Sequence, residues 1–270
     1  MRLKINIEHN YTATIFCCIF LCLFLSACKK DKVDPDINNN TQASLMIFFK
    51  GIVGAEEFVM NQIYTHNLGY PYRFETVKFY ASNFTLTKEN GDKLNLDTVI
   101  LVDFYNGHLN AGSSGELLCV DVPVTNYTQL DFTVGLDSSI NHADPANYPP
   151  DHPLSTYQGT HWGWAGGYRF AQFEGKVDTS LSTTQTLNHS FVYHTGFVDL
   201  IREIELNTSF SMSDGQKTSL KINVDLEKIF HNNGNTIDPK IDFFTHATGN
   251  DFPLAEKVAN HFKNAFSVSN

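Results

Sequence analysis

Cysteine is nearly missing from the body of this chain. Of five Cys in 270 residues, Cys17, Cys18, Cys22 and Cys28 fall in the first 28, leaving only Cys119 beyond them. One thiol makes no intramolecular disulfide, and zinc or iron–sulfur sites built on several cysteines are excluded from that region. Cys119 lies in "ELLCVDV" and reads as a small core residue. An excess of positive charge is missing too: 19 Lys and Arg face 29 Asp and Glu, for a net charge of −10. Without the first 27 residues, which hold Arg2, Lys4 and Glu8, the count is 17 basic against 28 acidic, net −11. Such a surface opposes the phosphates of DNA and RNA, so no nucleic-acid partner is expected. Catalytic signatures are absent: there is no HExxH, no GxSxG and no glycine-rich phosphate loop following a strand. The chain reads as a non-enzyme.

What is present begins with a targeting pattern. Arg2 and Lys4 precede "IFCCIFLCLFL" (15–25), an apolar run of eleven residues. That is short of the roughly 20 residues of a spanning helix but suits a signal-peptide core. It ends in "LSAC", Leu25 to Cys28, which looks like a bacterial lipobox. The expectation is a signal peptide over 1–27 and lipidation of Cys28. Acyl chains there would hold the protein to a membrane of the bacterial cell envelope, on its periplasmic or surface face. Residues 28–42 then form a flexible tether, because "KKDKVDPDINNNTQ" has almost no apolar side chains to bury. Residues 43–270 form one domain, since no further linker divides them.

That domain reads as strands. "ASLMIFFKG", "YRFETVKFYASNFTLT", "TVILVDF", "GELLCVDV", "YTQLDFTVGL", "YRFAQFEGKV", "LNHSFVYHTGF", "VDLIREIEL" and "TSLKINVDL" are rich in β-branched and aromatic residues with turn residues between. Strands do not alternate with long helices, so the expected fold is an all-β antiparallel sandwich with long loops. In "RFETVKFYASNFTL", alternation puts Phe74, Thr76, Lys78 and Tyr80 on one face and Val77 and Phe79 on the other. A C-terminal helix is expected over 252–266, with Leu254, Val258, Phe262 and Phe266 at four-residue steps and Asp251 as its cap. "DLEKIFHN" (225–232) suggests a short helical turn. The stretch 137–167 has four Pro and few strand-like runs; a loop of that length in a domain is usually functional.

Both tryptophans of the chain sit in that region, in "HPLSTYQGTHWGWAGGYRFAQFEG" (152–175). Ten histidines follow the signal, among them His142, His152 and His161 in the long loop and His189 and His194 flanking "HSFVYH". Five apart on a strand, His189 and His194 point to opposite faces and do not share one ion. Imidazole suits copper, zinc and iron.

The stretch resembles the MbnP family of copper-binding proteins. The residues that carry the likeness are His152-Pro153-Leu154, Trp162-Gly163-Trp164, Gly167-Tyr168-Arg169-Phe170 and Glu174-Gly175, with "RFETVKFYASNFTL", "FVYHTG" and "AEKVANHFKNAF" elsewhere. The resemblance implies a periplasmic or surface copper-binding β-sandwich. It also implies a partner: a dihaem enzyme of the cytochrome c peroxidase type that oxidises one Trp to kynurenine. The chemistry makes sense of this, because indole offers an N–H donor and no accessible lone pair, whereas the opened ring carries an aniline-like amine. Carried across by motif, the copper ligands are His194 and then His161, and the modified residue is Trp162 or Trp164. His246, standing where a methionine is expected before the last helix, is an additional candidate ligand. His152 reads as structural, and Glu174 as a partner of loop amides or of Arg169.

Two other readings stand beside this one. A glycan- or small-ligand-binding lipoprotein would use Trp and Tyr side chains, Tyr157 and Tyr168 included, as a stacking platform, and needs coplanar exposed rings. A purely structural sandwich would bury both Trp and scatter its histidines. The copper reading needs His194 beside another imidazole, with a Trp ring next to them.

Overall fold

A computed structural model describes residues 42–104, 114–163, 166–180 and 186–269. The signal segment, Cys28, the tether up to residue 41 and Trp164 lie outside the described residues. In chain order the elements are β1 (Gln42–Val53), β2 (Glu56–Glu57), β3 (Tyr64–Thr65), β4 (Pro71–Lys88), β5 (Lys93–Asp103), β6 (Ser114–Pro123), β7 (Asn126–Val134) and a single helical turn, α1 (Ser138–Asn141). There follow β8 (Arg169–Val177), β9 (His189–Gly196), β10 (Arg202–Ser211), β11 (Lys217–Asp225), β12 (His231–Asn232), β13 (Asn235–Thr236), β14 (Phe244–Thr245), α2 (Phe252–Lys263) and β15 (Phe266–Ser269).

Two sheets stack to make a mostly-β sandwich. One runs β15-β11-β1-β2 with β6 also on β1; the other runs β10-β7-β4-β8-β9-β14 with β3 and β5 also on β4. Most pairs are antiparallel, as the strand pattern predicts. Two are parallel, β1 with β11 and β14 with β9. Both join strands far apart in sequence, a relation no local pattern encodes. The core lies between the sheets and is dominated by aromatic rings. Phe49 of one sheet meets Phe79 and Phe132 of the other edge to face, with centroids 5.5 Å apart in each case. Phe262 of α2 closes the end of this stack, 5.2 Å from Phe79.

Three departures from simple periodicity matter. Phe74 is fully buried in the same core as Val77 and Phe79, not on the face of Thr76 and Lys78. A register shift between Phe74 and Thr76 inserts one residue into β4 and flips the side chains before it to the other face. The backbones are so close there that a Cβ on Gly175 of β8 would lie 2.0 Å from the Arg73 carbonyl oxygen. Second, "VDL" (198–200) is a 3₁₀ turn, and β10 begins only at Arg202. Third, α2 stops at Lys263 and Phe266 opens β15. Phe266 still packs on Phe79, 5.6 Å between centroids, so the core takes its ring from a strand as readily as from a helix.

Replacing Phe79 by Ala should cost about 3–5 kcal/mol, the usual penalty for deleting a buried aromatic ring, read as a lower denaturant midpoint with unchanged slope. A pH dependence is also expected. Burial pushes His66 and His261 below the ordinary histidine range, while backbone carbonyls, of Ile237 and Ile229 respectively, oppose the shift. As pH falls through about 6.5, the unfolded chain takes up protons that the folded chain still refuses, so stability is lost on acidification. Denaturation midpoints should therefore rise between about pH 5 and about pH 7, and a flat profile would contradict neutral burial of these rings.

Candidate functional site

The outer face of the larger sheet carries a polar row that crosses four strands and reaches the residue just after β14. Register pairs Asp103 of β5 with Lys78 of β4, Lys78 with Gln172 of β8, and Gln172 with His194 of β9. On the far side, Phe244 pairs with Val192 and Thr245 with Tyr193. Continuing that register by one residue sets His246 level with His194. Their rings lie stacked, 4.8 Å between centroids and 3° from parallel, which is the spacing of neighbouring strands.

His194 is 5% exposed. Its Nε2 lies 2.7 Å from Glu174 Oε1, and Thr76 Oγ1 donates to Glu174 Oε2 at 3.2 Å. A carboxylate only accepts, so Nε2 carries the proton and donates it. Nδ1 then presents its lone pair, buried and without a hydrogen-bond partner. An imidazole braced from behind by a carboxylate, with its other nitrogen open, is the usual preparation of a metal ligand. The His194 hydrogen bond holds the Glu174 carboxyl below the usual range; Thr76 and the positive charge of Arg169 add to this, and burial opposes it. Burial lowers His246; proximity to the His194 ring and the positive charge of Arg169 lower it further, against Asp251 and Glu174. His246 therefore favours the neutral form that ligates metals. The lone pairs of parallel rings lie in parallel planes, so, with His194 held by Glu174, convergence on one ion requires His246 to turn. Among the described residues no three His, Cys, Asp or Glu side chains gather as a metal-binding group.

The turn that holds His246 is braced by Asp251. This residue does not cap α2 through its side chain. Its carboxylate accepts instead from the backbone N–H of His246 (3.0 Å) and of Thr248 (2.6 Å).

Trp162 completes the neighbourhood. Its ring lies on Gly196, two residues beyond His194, so closely that a Cβ there would sit 2.4 Å from Cη2. It also packs on Phe197, 5.5 Å between centroids, and on the small-residue cluster of Leu200, Ala247, Ala255 and Ala259. Arg169 stands over the ring, its Cζ 5.8 Å from the centroid.

The long loop brings Trp162 here because buried hydroxyls and amides pin it to the sheet. Tyr80 Oη donates to the Pro153 carbonyl at 2.8 Å, and Tyr168 Oη to that of Leu154 at 2.7 Å. Asn141 accepts from the Tyr168 N–H at 2.8 Å. Gly167 has φ +72°, and a Cβ there would lie 2.3 Å from the Asn141 carbonyl oxygen, so only glycine fits. The glycines around the tryptophans thus serve tight turns and close contacts.

The other sequence candidates are placed as follows. His161 pairs with Tyr168 across a bridge, and its Nδ1 accepts from the Gly163 N–H at 2.8 Å. Among the described residues no hydrogen bond or ring contact joins it to His194 or His246. His152 stacks on Tyr148 at 4.3 Å and accepts from the Leu154 N–H at 3.1 Å, a structural role. Tyr168 is fully buried, so it offers no sugar-stacking surface beside Trp162. Sequence reasoning assigned Glu174 to loop amides or Arg169, and the structure pairs it with His194 and Thr76. Alternation along "AQFEG" puts Glu174 and Gln172 on one face, but only cross-strand register shows what stands opposite.

A Gly196→Ala substitution should expel the Trp162 ring and cost about 1–3 kcal/mol as overpacking. With Trp164 replaced by Phe as background, the change should show as a shifted Trp162 fluorescence maximum; an unmoved spectrum and midpoint would refute the close contact.

Comparison with known proteins agrees with this architecture. The profile of the MbnP family matches residues 42–250. Among solved structures, MbnP from Methylosinus trichosporium is similar in fold, with a TM-score of 0.51 and 15% identity over 70% of this chain and 77% of that one. No curated protein matches. With the His194–His246 pair and every strand but β15 inside the matched span, this chain belongs to the MbnP family.

Proposed function

We propose that this protein is a non-enzymatic copper-binding lipoprotein of the bacterial cell envelope. We further propose that Trp162 is its modified residue, converted to kynurenine by a dihaem partner of the cytochrome c peroxidase type. The observation that carries the reading is the open, buried Nδ1 of His194, braced through Nε2 by Glu174. Family membership points to copper, and the donor set fits a soft ion: neutral imidazoles from His194 and His246, with an aromatic ring seated beside them. Trp162 is preferred over Trp164 because its ring lies two residues along β9 from His194. His161 would need to give up its bond to the Gly163 N–H to contribute Nδ1. Copper supplies a Lewis-acidic, redox-active centre when bound. The chain's own part is to present lone pairs at His194 Nδ1 and His246, to hold the His194 proton on Nε2, and to keep water out with Trp162 and Phe197. The anchor at Cys28 places the site at a membrane surface and needs no helix to span it.

Intact protein co-expressed with the partner should bind close to one equivalent of copper. His194→Ala should weaken binding by about 10²-fold or more, and Glu174→Gln by about 10–100-fold as an outer-shell loss. Chelator competition measures both, and unchanged affinity in the His194 variant would end the assignment. Kynurenine formation replaces a ring carbon by oxygen and adds about 4 Da. Intact-mass and peptide mapping should locate that increment at residue 162; finding it at 164, or nowhere, would correct the proposal.

A further inference from the structure

Arg169 opens β8 opposite Gly196 of β9, next to the surface on which Trp162 rests. Its Nη1 donates to the Gly159 carbonyl at 2.8 Å. Its Nε is buried without a hydrogen-bond partner, and no carboxylate reaches it as a salt bridge among the described residues. The guanidinium faces the Trp162 ring instead, with Cζ 5.8 Å from the centroid. Burial disfavours this charge, and the Glu174 carboxylate supports it from beyond salt-bridge range. The field of Arg169 reaches Glu174, His161 and His246, each of which registers its charge.

Resting on the copper reading, we propose that Arg169 is a specificity-determining residue that makes the site select singly charged Cu(I) over Cu(II) and other divalent ions. The repulsion between a fixed cation and a bound ion scales with the ion's charge, so a divalent ion suffers twice what a monovalent one does. Glu174 pulls the other way, since a carboxylate behind His194 favours higher charge on the metal. Arg169 opposes that pull from outside the imidazole pair, and a guanidinium keeps its positive charge across the working pH range. Its seat on an aromatic face holds it in place where a carboxylate partner would cancel it.

The test is the ratio of Cu(I) to Cu(II) affinity, each measured by chelator competition on the intact protein, with the midpoint potential of bound copper as an independent readout. Arg169→Gln should move the ratio toward Cu(II) by on the order of tenfold, which is about 59 mV for a one-electron couple. Arg169→Lys, which retains the charge, should stay close to the parent. An unchanged ratio in Arg169→Gln, or equal weakening of both ions, overturns the proposal and leaves the copper site standing. An Arg169→Lys variant that behaves like Arg169→Gln also overturns it, since packing would then explain the effect. Wild-type protein that binds neither ion removes the copper reading itself. If Arg169→Gln does not fold by circular dichroism, Arg169→Met takes its place in the same comparison.

Discussion

The hydrogen bond between His194 and Glu174 is the contact on which the rest of the site depends. It settles which imidazole nitrogen holds the proton, and so which one is free. It links two strands that meet only through tertiary pairing. It also leaves a half-buried carboxylate charged, because the cost of burial is met by donors from His194 and Thr76 and by the field of Arg169. Without that bond, His194 would be one more buried histidine needing a partner.

The sheet supplies the frame for this contact. Bulges in β4 and at the start of β8 shift faces at defined points, so the inner surface stays apolar and rich in aromatic rings while the outer surface gathers Lys78, Gln172, Glu174 and His194. Strand spacing alone then determines the distance between His194 and His246. The long loop folds over this outer face, hung from Tyr80, Tyr168 and Asn141, and delivers Trp162 to the gap left by the missing side chain of Gly196. His246 follows directly on a two-residue edge strand, its backbone N–H held by Asp251.

Some of this was legible beforehand because the signal was local. Alternating aromatics marked the long strands, and Val77 and Phe79 lie in the core as alternation required. The helix at 252–263 followed from four-residue spacing. His194 was singled out through its motif. Phe74 and Phe266 were misplaced because a bulge and a helix end change the period without changing the residues. Asp251 was read as a helix cap, which its position suggested, but the strongest unsatisfied N–H groups near it belonged to the turn before the helix.

By itself, the sequence determined the class of fold and the presence of an unusual aromatic loop, since composition and periodicity act between near neighbours along the chain; the family was legible only through the likeness of its motifs. Only the tertiary structure decided that Glu174 serves His194, that His246 stands beside it, and that Trp162 lies under Arg169 on Gly196. These are relations between residues 7 to 52 apart in sequence. Register, which a single bulge can displace by one residue and one face, sets them, and no local pattern records it.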